Sequence, residues 1–226
     1  MTGRLPWVVG VSGASGTRYA RAVLNGLLDA GQPVDLVVSR AARLTLLDET
    51  GLALRDASWA ADLGRWLGRD PVDAVGTGAD APVGLVYWPA GDLAGGPSSG
   101  SYPTRGMVVV PASTAAVAGI ALGLSKDLLQ RAADVTLKER RRLVVVPRET
   151  PLGRSTLVHL LALHDAGAVV LPASPGFYAG ADSVDQLVDF VAAKVLDVLG
   201  VEHDLIRRWS GRIGSGRTSS LPSTQD

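Results

Sequence analysis

Short runs of apolar, mostly β-branched residues alternate along the chain with longer segments in which apolar residues recur at helical spacing. The first run, WVVGV at 7–11, is followed by TRYARAVLNGLLDAG at 17–31, whose apolar spacing indicates an amphipathic helix. Such alternation is typical of parallel βαβ units. The pattern predicts strands at 7–11, 34–39, 84–88, 107–113, 142–149 and 168–174, and helices at 17–31, 40–51, 59–67, 114–125, 127–139, 155–167 and 183–200.

The longest interruption of this pattern lies at 89–106, where PAGDLAGGPSSGSYPTRG is rich in glycine, proline and serine and has no periodicity. We interpret it as a loop, and its length favours a functional lid over a simple connector. Residues 210–226 are small and polar, which predicts a disordered tail. The sequence therefore predicts one α/β domain over 1–209, built on a mainly parallel sheet.

Composition narrows the classes of partner. The 226 residues carry 22 basic and 22 acidic side chains, so the charge pattern of a nucleic-acid or anionic-membrane binder is absent. The lack of cysteine excludes disulfides, thiolate metal sites and a cysteine nucleophile. No apolar run approaches the roughly 18 residues that span a bilayer, and the first residues lack the apolar core of a leader peptide. We expect a cytoplasmic protein that binds neither nucleic acid nor membrane.

The residues with chemical potential follow the predicted strands. In an open parallel sheet, ligands bind beyond the carboxyl ends of the strands, so segments that follow different strands meet at one edge. Five segments are expected to converge there: Gly13 to Ser15, Ser39, Ser113 with Thr114, Arg148 with Glu149, and SPGFY at 174–178.

Two of these segments combine a strand end with a helix start. GVSGASGT at 10–17 offers free backbone N–H groups and a helix dipole to a phosphate, although it is neither GxGxxG nor a Walker loop. PASTAA at 111–116 places the Ser113 and Thr114 hydroxyls at another helix start. Each alone can be a simple helix cap. Two such turns on one edge favour a ligand with a phosphate and a polar ring, such as flavin mononucleotide.

The segment ADVTLKERRRLVVVPRETP at 133–151 carries charges at both ends of an apolar strand. An ordinary surface ion network is one explanation. The other is a site in which Lys138, Arg148 and Glu149 neutralise a second phosphate and move a proton to it. His159 and His164 are five residues apart on one predicted helix and lack metal-site spacing, so we expect no metal site.

Taken together, GASG, PAST, RAADVTLKERRRLVVVPRETP and LPASPGFY resemble the flavin prenyltransferase family, the UbiX-like proteins once described as aromatic acid decarboxylases. The resemblance runs from about Val8 to Trp209. It implies a three-layer, Rossmann-like (flavodoxin-type) α/β domain that assembles into a homododecamer. It also implies transfer of a dimethylallyl group from dimethylallyl monophosphate to N5 and C6 of reduced FMN, without a metal. The product, prenylated FMN, would serve a separate UbiD-like decarboxylase.

The resemblance also assigns roles to residues. FMN would be held by Gly13, Ala14, Ser15, Ser39, Ser113, Thr114, Ala115, Ala116 and Arg131. The dimethylallyl phosphate would be held by Lys138, Arg148, Tyr178 and Lys194, with Trp209 beside the allylic group. Proton transfer and ordering of the phosphate would fall to Ser15, Glu49 and Glu149, so that the catalytic set is Ser15, Glu49, Lys138, Arg148 and Glu149.

Two other functions remain open at this point. The first is oxidative decarboxylation by a cysteine-decarboxylase-type flavoprotein, against which stand Ala116, where those proteins carry an Asn-containing motif, and the absence of an early histidine. The second is a non-catalytic FMN carrier, which would not need a second phosphate site. The sequence does not distinguish a monophosphate donor from a diphosphate donor.

Overall fold

The core of the protein is a six-stranded sheet in which every pair of neighbouring strands is parallel. The computed structural model describes residues 5–69, 84–177, 181–206 and 208. Within these residues the strand order is β3-β2-β1-β4-β5-β6, which confirms the predicted doubly wound α/β fold. The strands are β1 (Trp7–Val11), β2 (Val34–Val38), β3 (Leu85–Pro89), β4 (Gly106–Ala112), β5 (Arg142–Pro147) and β6 (Val169–Val170).

Helices cover both faces of the sheet. In the described part of the chain they are α1 (Thr17–Asp29), α2 (Arg40–Thr50), α3 (Trp59–Leu67), α4 (Thr114–Ala121), α5 (Leu128–Lys138), α6 (Arg154–Asp165) and α7 (Val184–Leu199). One core contains side chains of α1, α2, α3 and α7, and the other contains side chains of α4, α5 and α6. Along β1, Val9 enters the first core and Val8 the second. Burial on both faces explains why the strands are continuous apolar runs.

The connections of β1 and β4 create a crevice between them. These two strands are neighbours in the sheet, but α1 follows β1 on one face and α4 follows β4 on the other. The chain therefore separates at the carboxyl ends of the two strands, where ligands bind in folds of this type.

Most predicted elements differ from the observed ones by one or two residues at their ends, and two are shortened by more. The helix predicted at 114–125 ends at Ala121, because Gly123 and Ser125 take left-handed conformations with φ of 63° and 48°. The strand predicted at 168–174 is reduced to the two residues Val169–Val170. Beyond Val170 the chain still runs beside β5: the amides of Leu171 and Ala173 donate to the carbonyls of Val145 and Pro147.

The loop at 90–105 is fastened to the face of the sheet. It contains a 3₁₀ turn at Gly96–Ser98. The Tyr102 hydroxyl donates to the buried Asp35 carboxylate of β2 at 3.1 Å, and the Trp88 indole donates to the other oxygen at 2.9 Å. Burial raises the pKa of Asp35, and these two donors partly offset that rise. The loop predicted to act as a lid is thus hydrogen-bonded to the sheet through Tyr102.

No helix among the described residues is long and apolar enough to cross a membrane. The division into a domain at 1–209 and a tail at 210–226 stays a prediction, because residues 209–226 lie outside the described part.

Replacing Tyr102 by phenylalanine tests the anchoring of this loop. The change leaves one oxygen of a buried carboxylate without its donor, so we expect the free energy of unfolding to fall by about 1–3 kcal/mol. Urea denaturation measures this. Ser101→Ala, on an exposed neighbour whose hydroxyl contacts only the Ser99 side chain, is the control and should change stability little. Equal stability of the two variants would contradict an anchoring role.

Candidate active site

A cleft of about 170 Å³ opens at the carboxyl ends of β1, β2 and β4. Five residues predicted to hold the flavin line it, namely Gly13, Ser39, Ser113, Ala115 and Ala116. The structure thus brings together three segments that are far apart in sequence. The lining also includes residues that the sequence did not single out, among them Ser12, Arg40, Asp127 and Gln130.

Helix N-termini supply the polar character of this cleft. Ser39 caps α2 by accepting from the amide of Ala42 at 3.1 Å, and Ser113 caps α4 by accepting from the amide of Ala116 at 3.2 Å. Thr114 is the first residue of α4. Because the N-terminal ends of helices carry partial positive charge, an anionic group is favoured between them.

Gly13 lets the turn after β1 approach α2 closely. A Cβ atom at this position would lie 2.4 Å from the Cβ of Ala41, which is closer than two carbon atoms can pack. Gly16 has a φ of 109°, a conformation that side chains disfavour. Ala14, between them, is buried, and Ser15 is exposed at the tip. The two glycines therefore form a cradle that larger residues would fill.

Ser12 ties the ends of β1 and β4 together. Its buried hydroxyl donates to the carbonyl of Pro111 at 2.8 Å and accepts from the amide of Ser113 at 2.7 Å. The only sequence signal for this role was its position directly before the glycine turn.

Glu49 lies at the end of α2 and binds the start of α1. One carboxylate oxygen accepts from the Gly16 amide at 2.7 Å, and the other accepts from the Thr17 amide at 2.8 Å and the Thr17 hydroxyl at 2.6 Å. Burial raises the pKa of Glu49, but hydrogen bonds from Thr17, from Ser15 and from the two amides together lower it below its usual value. Glu49 is therefore held as a carboxylate beside Ser15.

Arg148 brings a positive charge to the same turn. It follows β5, and its side chain lies 3.9 Å from the Cβ position of Gly16. Its Nε is buried without a hydrogen-bond partner among the residues that the structure describes. Burial raises the pKa of the nearby Tyr19 phenol, and the charge of Arg148 opposes that rise. A buried donor with no partner is the expected state of a residue that binds an anionic ligand.

Two other residues predicted to bind the dimethylallyl phosphate, Lys138 and Lys194, do not line this cleft. Lys138 ends α5 and pairs with Glu139, before the start of β5. Arg148 follows the end of β5, so the length of this six-residue strand, roughly 20 Å, separates the two cations. Lys194 lies in the third turn of α7 and pairs with Asp197 at 3.6 Å. Within one chain, the cations predicted to hold the dimethylallyl phosphate therefore lie on different elements.

The remaining predicted residues have varied environments. Arg131 donates to the carbonyl of Ser98 at 3.0 Å and pairs with Asp134 at 2.7 Å. Glu149 is exposed and accepts from the amide of Thr150 at 2.9 Å. Tyr178 and Trp209 lie outside the described residues. Within the described ranges, no group of three or more His, Asp or Glu side chains is placed to hold a metal ion.

Comparison with known proteins identifies the family of this chain. A model of the flavoprotein family matches residues 1–196. The flavin prenyltransferase UbiX of Streptomyces coelicolor is 67% identical over 214 residues, which cover 94% of this chain and 99% of that protein. The chain belongs to the flavin prenyltransferase family. This confirms the resemblance found in the sequence.

Two solved members of the flavin prenyltransferase family have the same fold. The crystal structure of AnUbiX in complex with FMN and dimethylallyl pyrophosphate has a TM-score of 0.78 and 35% identity, covering 93% of this chain and all of that one. The dodecameric FMN-dependent UbiX-like decarboxylase of Escherichia coli O157:H7 has a TM-score of 0.77 and 36% identity, covering 92% of this chain.

Gly13→Ala tests the close approach at the cleft. The added methyl group would overlap Ala41, so we expect a loss of about 1–3 kcal/mol in the free energy of unfolding and FMN affinity weakened at least tenfold. Denaturation and flavin fluorescence titration measure the two effects. Gly91→Ala is the control, because a Cβ at Gly91 meets nothing within 4 Å. Unchanged flavin affinity in the Gly13 variant would show that the cradle is not used.

Proposed function

We propose that this protein is a flavin prenyltransferase, which joins a dimethylallyl group from a dimethylallyl phosphate to N5 and C6 of reduced FMN. The observation that carries the proposal is Arg148, whose Nε has no partner among the described residues, beside a glycine cradle and the ionised Glu49, in a chain 67% identical to a flavin prenyltransferase. A cleft that only retained FMN would not need Arg148 as a cation for a second phosphate.

The residues of the cleft fit FMN. The starts of α2 and α4 and the Gly13 to Ser15 turn offer amides and hydroxyls, and the Gly13 cradle leaves room for a group that a side chain would exclude. When bound and reduced, the flavin supplies the nucleophilic atoms of the reaction. The protein orients it by fixing the backbone around the cleft.

Arg148 would bind the phosphate of the dimethylallyl donor. As the allylic carbon–oxygen bond breaks, negative charge builds up on the departing phosphate, and a fixed guanidinium stabilises it without the rearrangement that water would need. A cation in this position takes the role that a divalent metal ion has in other phosphate chemistry. Glu49, with Ser15, would accept the proton that the flavin loses on bond formation.

We propose further that the phosphate site is completed by a second copy of the chain. Within one protomer Lys138 lies at the opposite end of β5 from Arg148, and Lys194 lies on α7. Both lysines are exposed, so they are free to face a neighbour. A relative of the same fold is dodecameric, which supports assembly into a homo-oligomer. Tyr178 and Trp209 would join the pocket in the same assembly.

The product, prenylated FMN, would pass to a UbiD-like decarboxylase, and we propose that the protein works in the cytoplasm. A relative has been solved with dimethylallyl pyrophosphate, and the choice between monophosphate and diphosphate is left to experiment.

The cysteine-decarboxylase function has no support from the cleft, where position 116 is Ala116.

The central test is a single-turnover reaction. Purified protein, reduced FMN and dimethylallyl monophosphate, incubated without oxygen, should give a flavin heavier by one dimethylallyl group in mass spectrometry. A parallel reaction with the diphosphate identifies the preferred donor, and one without a donor is the control. Bound flavin of unchanged mass with both donors would favour the carrier function.

Glu49→Gln tests the proton acceptor. Glutamine keeps the shape and an oxygen acceptor but loses the charge, so we expect FMN to remain bound while the rate of prenylation falls about 10²–10⁴-fold. The exposed Glu202→Gln variant is the matched control and should react at the wild-type rate. Full activity of the Glu49 variant would remove this residue from the proton path.

A further inference from the structure

Thr17 makes a contact that its place in the helix does not require. It is the first residue of α1 and is fully buried. Its amide and its hydroxyl both donate to the same oxygen of Glu49, at 2.8 Å and 2.6 Å. Any residue except proline would supply the amide, whereas the second bond needs a side-chain donor such as the hydroxyl of threonine or serine.

The shape of the site does not explain the hydroxyl either. Valine has nearly the same volume as threonine, and a buried hydroxyl without a partner would cost stability. The two free amides at the start of α1 are already bound by the carboxylate. The hydroxyl is therefore directed at Glu49, 32 residues along the chain.

We propose that Thr17 is a positioning residue for Glu49, holding one carboxylate oxygen with its hydroxyl and amide while Gly16 holds the other. This inference rests on the proposed function, in which Glu49 accepts a proton. A carboxylate fixed at both oxygens cannot rotate away from the glycine turn, and it stays charged at a lower pH than a free one.

Charged side chains also surround Glu49, but their effects on its proton affinity oppose one another, so the hydrogen bond from the Thr17 hydroxyl has a large effect. Glu49 and Thr17 line a groove of about 510 Å³ between α1, α2 and α7. Arg18 and Arg21 of α1 and Asp185 and Asp189 of α7 also line it, so two cations face two anions. Arg148 approaches the same turn from beyond β5. The opposed charges in the groove offset one another, whereas the Thr17 bond acts at contact distance.

The direction of the pH effect follows from the geometry. The hydrogen bonds stabilise the ionised form and lower the pKa of Glu49. Loss of the hydroxyl removes one donor, so the carboxyl binds its proton more tightly. The proposed reaction needs the ionised form of Glu49. On acidification, a variant without the Thr17 hydroxyl should therefore lose activity at a higher pH than the wild-type protein.

The test compares Thr17→Val with Thr17→Ser. Isotope-edited infrared titration of protein labelled with ¹³C at the glutamate carboxyls follows four glutamates, and Glu49→Gln identifies the band of interest. We expect Thr17→Val to raise the proton affinity of Glu49 about tenfold, because one bond to a charged group is lost. Thr17→Ser should restore it. The acid limb of the prenylation rate should move with the titration.

The control is Thr136→Val, which removes another buried hydroxyl that bonds only within its own helix. It should change neither the titration nor the pH profile. Wild-type titration in Thr17→Val would overturn the inference. Because the titration needs no substrate, it decides this point even if the protein fails to prenylate flavin, which would refute the proposed function alone. Should Thr17→Val fail to fold by circular dichroism, Thr17→Ala replaces it.

Discussion

The close contact between the turn after β1 and the start of α2 is the constraint on which the site depends. With hydrogen as its side chain, Gly13 lets the backbone meet Ala41, and the turn after β1 then shares one cleft with the starts of α2, α4 and α5. Ser12 fixes the same region from the other side by joining β1 to β4. The polarity of the cleft therefore arises from backbone positions, and few charged side chains are needed to build it.

Glu49 and Arg148 reach the turn after β1 from different elements, the end of α2 and the end of β5. Glu49 uses its negative charge to hold the amides of α1, whereas Arg148 brings a positive charge that nothing in the described chain neutralises. One is satisfied by the protein, and the other is available to a ligand. This difference separates the proposed proton acceptor from the proposed phosphate binder, although both lie at the same turn.

Periodicity was sufficient to predict the order of strands and helices, because burial on both faces makes each strand an apolar run. The glycine turn and the two serine caps were also visible, since they require particular residues at particular positions. The sequence also places Lys138 before β5 and Arg148 after it, so their separation follows from the strand prediction, whereas the family resemblance assigned both to one phosphate. The contact between Glu49 and Thr17 joins residues too distant for any local pattern.

Two arginines, one within α5 and one just before β5, hold the loop at 90–105 through its backbone. Arg131 donates to the carbonyl of Ser98, and Arg141 donates to the carbonyls of Gly100 and Tyr102. Contacts of this kind do not depend on which side chains the loop carries. Apart from Tyr102, the side chains of the loop can therefore vary while its path is retained, whereas a change in its length would displace all three carbonyls at once.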